Sequence, residues 1–153
     1  MIVFLAAAAA AVSVHDVAAY IVSKLGRITA LKLQKLVYYC QAWSLVWDDG
    51  PLFQEDVEAW ANGPVVAALY VAHRGQYDVG ACPQGDAAKL TPVQVETIDA
   101  VLKEYGDKQS HWLSNLTHQE EPWKTARVGL AEGERSNRII SHASMAEYYG
   151  SLG

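Results

Sequence analysis

The sequence predicts a mainly α-helical domain, α+β in class, compact around one central apolar helix with a few short β-strands. Three observations predict it. The run Leu31 to Trp47, LKLQKLVYYCQAWSLVW, is apolar on most of its circumference, which marks a helix surrounded by the rest of a fold. Helix-start signals stand before apolar-periodic segments at Ser13, Thr29 and Thr91. Extended character is confined to short stretches near 52–60 and 137–140.

The elements follow in order. Ser13 at the N-cap with Asp16 three residues on forms a capping box for a helix that turns Val17, Tyr20, Ile21 and Leu25 inward, and Gly26 stops it. Thr29 caps the central helix, a rod of about 28 Å at 1.5 Å per residue. On it Leu33, Leu36, Val37, Cys40, Ser44 and Trp47 form one stripe, with Leu31, Tyr38, Ala42 and Leu45 as a second apolar row. Asp48-Asp49-Gly50-Pro51 is a turn, and LFQEDVEAW after it reads as a short strand or extended arm. Pro64, with no N–H to leave unpaired, suits the first position of a helix over Val65 to His73 that ends at Gly75. A loop runs to Lys89. Thr91-Pro92-Val93-Gln94 then supplies N-cap, N1 proline and N3 amide for a helix closed by Gly106. A short helix over Ser110 to Thr117, a glycine-rich link and a last helix near Ala143 to Tyr149 complete the chain, with strand pairing expected between 52–60 and 137–140.

Composition bounds the function. The chain has 153 residues, 51% hydrophobic and 19% charged, the size of one domain. A net charge of −5 argues against a protein held to nucleic acid by phosphate neutralisation. Two cysteines, Cys40 and Cys82, give no disulfide framework and suit a reducing cytoplasm. The opening MIVFLAAAAAAV has the length of a signal-peptide apolar region but no Lys or Arg before it, and falls short of the roughly 20 apolar residues that span a bilayer. Residues 1–12 are therefore read as an extension outside the domain, and 13–153 as the domain, with no membrane partner.

Three motifs stand out. LKLQKLVYYCQAW is followed at Glu58 by EAWANGPVVAALY, and a third segment, THQEEPW, begins at Thr117. On a helical wheel Lys32, Lys35 and Tyr39 share a flank of the central helix, either as lysines snorkelling at a solvated edge or as a basic and aromatic strip that receives a partner. Trp60, beside a corner shaped by Gly63 and Pro64, is either a core anchor or an interface residue, and Tyr70 six residues past Pro64 is ambiguous in the same way. Thr117, His118, Pro122 and Trp123 form a second corner. Arg127, Arg135 and Arg138 alternate with Glu132 and Glu134 and read as a solvated face.

In this order the three motifs resemble the Panacea domain, the SocA-like or GepA-like phage-associated family, over about Ser13 to Tyr149. The resemblance implies an antitoxin that neutralises a cognate toxin, encoded adjacently, by protein–protein contact. It implies no enzymatic activity, no cofactor and no metal. The partner-binding residues expected are Lys32, Lys35, Tyr39, Trp60, Tyr70, His118 and Trp123, with Gly63, Pro64, Thr117 and Pro122 shaping the motif corners. Strand character at 52–60 leaves a homodimer open. Two other readings compete. One is a small metal-dependent hydrolase centred on His118 with Glu120 and Glu121, although HExxH and paired CxxC spacings are missing from the chain. The other is a DNA-binding autoregulator, for which the chain has no spare length for an added helix-turn-helix.

Overall fold

The structure, a computed structural model, describes residues 11–152; the expectation about the N-terminal extension falls largely outside them, although Val12 packs against the core. Among the described residues seven α-helices, α1 (Val14–Leu25), α2 (Ala30–Trp47), α3 (Ala67–Ala72), α4 (Pro92–Tyr105), α5 (Ser110–Gln119), α6 (Glu121–Ala126) and α7 (His142–Leu152), are joined with strands β1 (Ile28–Thr29), β2 (Val57–Trp60), β3 (Gly63–Val66) and β4 (Asp78–Val79). The mainly α class with a little β is as the sequence predicts. Among the described residues no helix is long and apolar enough to cross a membrane.

The caps form where the sequence places them. Ser13 accepts from the His15 and Asp16 amides while Asp16 reaches back to the Ser13 amide, and Thr91 and Gln94 make the same reciprocal box at α4. Such a cap contributes about 1 kcal/mol by supplying acceptors to amides that have no partner within the helix. Thr29 accepts from Lys32 N to start α2. Every residue of α2 from Leu33 to Ser44 is buried, with α4, α7, β3 and α5 packed around it.

Trp47 departs from the inward stripe: at the end of α2 it is half exposed and stacks on Trp43 with ring centroids 4.8 Å apart. The larger departure is at Pro64. Gly63–Val66 is not the start of a helix but a strand, paired antiparallel with β2 in the register Val57↔Val66, Glu58↔Val65, Ala59↔Pro64 and Trp60↔Gly63. Alternate residues of an antiparallel pair turn their backbone groups away from the partner strand, and Pro64 occupies such a position, where a missing N–H costs no ladder bond. The expected pairing with 137–140 does form, narrowly: Glu58 bridges Ile139, Ala59 N donates to the Arg138 carbonyl at 2.7 Å and Ile140 N to the Val57 carbonyl at 2.8 Å. The extended stretch is shorter than 52–60, since Leu52 and Phe53 are a buried loop rather than strand.

Candidate partner-binding face

α2 organises the site through polar side chains in its buried stretch. Gln34 Nε2 donates to the Val66 carbonyl at 3.2 Å and its Oε1 accepts from Val66 N at 2.8 Å, so the amide stands in for a neighbouring strand at the outer edge of β3. Two turns on, Gln41 does the same for the loop after α2: Oε1 accepts from Leu52 N and Phe53 N, and Nε2 donates to the Phe53 carbonyl at 2.8 Å. Between them Lys35 Nζ donates to the Pro64 carbonyl at 3.1 Å. These bonds satisfy backbone groups that would otherwise be buried without partners, at about 1–3 kcal/mol each if lost.

The strip of Lys32, Lys35 and Tyr39 is therefore not a surface strip. Lys35 and Tyr39 are fully buried, because α5 and β3 cover the flank that the helical wheel left open. Tyr39 Oη donates to Glu120 at 2.7 Å, as does Tyr149 Oη, and Tyr39 stacks on Tyr105 with centroids 4.1 Å apart. Burial raises the Glu120 pKa above its usual 4.5, opposed by those two hydrogen bonds. Only Lys32 keeps partial exposure, its Nζ donating to the Gly106 carbonyl at 2.7 Å; burial pulls its pKa down, against the attraction of Asp107.

The β2–β3 hairpin carries Trp60 outward. Its turn, Ala61–Asn62, keeps negative φ, and the reversal falls on Gly63 at φ +119, a backbone that side-chain-bearing residues rarely adopt. Trp60 meets Tyr70 edge-on at 5.0 Å and its indole N–H donates to Glu58 at 2.8 Å. Behind the hairpin, Trp123 Nε1 donates to the Trp60 carbonyl at 2.8 Å, and the His118 ring stacks on Trp123 at 4.1 Å and 9°. Burial lowers the His118 pKa; the Asn62 backbone opposes this, while Lys35 and Arg127 add to it. The ring is thus neutral at pH 7, with its buried Nε2 unpartnered.

His118, Glu120 and Glu121 are not brought together. Glu120 points into the tyrosine cluster, and Glu121 lies at the surface against Lys124 at 3.5 Å. Among the described residues no group of three or more His, Cys, Asp and Glu side chains is placed to hold a metal ion. Arg127 also departs from the solvated face expected of it. It is buried, and its guanidinium donates to the Ala59 carbonyl at 2.9 Å and the Glu134 carbonyl at 2.7 Å, tying the glycine-rich link to β2.

A half-open groove of about 870 Å³ lies over the outward face of the hairpin. Trp60 and Tyr70 of the expected set line it, joined by Leu31, Tyr77, His73 and Arg135, which sequence reasoning did not select for the site. Three of these are large apolar side chains open to solvent: Leu31 at 39%, Tyr70 at 43% and Tyr77 at 81% exposure. A shallower groove continues past Leu31 and Tyr77 to Lys32. Two aromatics and a leucine open to solvent thus gather at one concavity instead of being scattered singly over the surface.

Residues 33–124, from α2 through most of α6, match the family described as antitoxin SocA-like, Panacea domain. The chain belongs to that family. No curated protein and no solved structure matches it significantly. The match is narrower than the span of about Ser13 to Tyr149 read from the sequence, leaving α1 and α7 outside, and it contains the second and third motifs whole and the first from Leu33 onward. Within this Panacea domain Gln34, Lys35, Tyr39, Gly63, Pro64 and Thr117 build the support, and Trp60 and Tyr70 reach the groove.

Proposed function

We propose that this Panacea domain is the antitoxin of a toxin–antitoxin pair and neutralises its toxin by direct, stoichiometric binding in the cytoplasm, without chemistry of its own. Family membership supports the antitoxin reading, and the groove flanked by Leu31, Trp60, Tyr70 and Tyr77 is the observation that carries direct binding. The toxin packs apolar or aromatic side chains into this groove, within an interface of about 1,200–2,000 Å² in total. The net charge of −5 speeds encounter with a basic toxin, and short-range fit at the aromatic groove sets the lifetime of the complex. The toxin is encoded beside the antitoxin, as is expected of a pair that works at fixed stoichiometry.

Leu31→Asp with Tyr77→Ala tests the surface. Both side chains are exposed, so folding stability stays within about 0.5 kcal/mol for each. Affinity for the toxin encoded alongside, measured by calorimetry, falls by about 2 kcal/mol or more, roughly thirtyfold. A double variant that binds like the wild type places the interface elsewhere.

A further inference from the structure

Lys35 is fully buried, yet no acidic side chain neutralises it: the ion pairs among the described residues are Lys108 with Asp107 and Lys124 with Glu121, both at the surface. Its amine is bonded to the Pro64 carbonyl in the middle of β3, and its Cε lies 2.8 Å from where a Cβ on Gly63 would stand. It therefore fills the seam between α2 and the hairpin that carries Trp60.

We propose that Lys35 is a positioning residue for the partner-binding face: its buried amine latches the β2–β3 hairpin, and Trp60 with it, onto α2, and the latch loosens when the amine takes up a proton. An ammonium presents three donors and a full charge where one carbonyl is available, and burying an unpaired charge is costly, whereas a neutral amine bonded to Pro64 is not. Burial alone pulls the Lys35 pKa from 10.5 to about 7. The groups around it leave that balance to Lys35. His118 of α5 is the titratable side chain that feels it, with Arg127 beyond the same ring. On α2 itself Lys32 is turned to the Gly106 carbonyl and Tyr39 to Glu120. Gln34 holds Val66, and β3 contributes backbone and apolar side chains only.

The sign follows from proton counting. Between about 7 and 10.5 the unfolded chain holds the Lys35 proton and the folded chain does not, so stability rises with pH through that window. Above 9 the burial-raised thiols of Cys40 and Cys82 act in the opposite sense, and Lys32, lowered by burial too, acts in the same sense as Lys35, so the Lys35 share is read at pH 7.5–8.5 as the difference between wild type and Lys35→Met. There the unfolding constant falls about tenfold per pH unit from this one group.

Side-chain NMR on the full chain, following Lys35 Nζ and the Trp60 indole N–H from pH 5.5 to 10, tests the latch. Both midpoints are expected near 7. In Lys35→Met the Trp60 midpoint disappears and the tenfold dependence of the unfolding constant flattens, changes that a purely space-filling role would not produce. A Lys35 midpoint in the ordinary lysine range overturns the proposal, as does a Trp60 midpoint that persists in Lys35→Met. Should Lys35→Met fail to fold, the wild-type midpoints decide alone: coincidence supports the latch and separation overturns it.

Discussion

Gly63→Ala is expected to destabilise the domain by about 2–5 kcal/mol, and equilibrium urea unfolding will read it directly. Two effects add. At φ +119 an alanine backbone is strained, at a cost of about 1–3 kcal/mol. The new methyl would also stand 2.8 Å from Lys35 Cε and 3.1 Å from Thr117 Oγ1. A lysine tip normally swings away from such a clash, but this one is enclosed and bonded to Pro64, so moving it breaks the hydrogen bond or shifts the hairpin, at about 1–2 kcal/mol. For a domain of this size the melting temperature falls by roughly 5–15 °C. A change below about 0.5 kcal/mol would show that the hairpin corner is not closed on α2 as described.

Glu120→Ala has an effect of similar size by a different route. Its carboxylate accepts from Tyr39 and Tyr149, and hydrogen bonds to a charged group contribute about 1.5–3 kcal/mol each, so truncation costs about 3–6 kcal/mol at pH 7. Tyr149 retains Tyr38 at 3.0 Å, and relief of a buried charge offsets part of the loss, which places the result at the lower end. The pH dependence identifies the group. Because folding raises the Glu120 pKa, its contribution is fully present below 4.5 and is lost as pH rises through the folded value. Wild type therefore gains stability from this group on acidification from neutral pH toward 4.5, and Glu120→Gln removes that gain. An unchanged acid profile in Glu120→Gln would assign the titration elsewhere.

Both variants act on features that were only partly legible in the sequence. The caps at Ser13, Thr29 and Thr91 could be read because a cap is a local contract between residues three apart. The central position of α2 was legible from its apolar circumference. The hairpin was not, since Asn62-Gly63-Pro64 satisfies the rules for a helix start as well as for a turn, and only the acceptors and donors supplied by Gln34 and Lys35 decide for a strand. A usable signal was present and missed: Gln34 and Gln41, seven apart, sit on one line of a helix buried on all sides, where an amide must have backbone to hold. The groove had no local signature. Leu31, Trp60, Tyr70, Tyr77 and Arg135 come from separate segments, and Lys35 and Tyr39 looked like surface residues because a wheel shows which residues share a flank and not whether another helix covers it.

The central claim is neutralisation by contact. Its most direct test is growth of cells in which the neighbouring open reading frame is induced alone and then together with this chain, followed by co-purification of the two products. The account predicts toxicity, rescue and a stable complex of fixed stoichiometry. A harmless neighbour, or rescue with no complex between the two proteins, would contradict it.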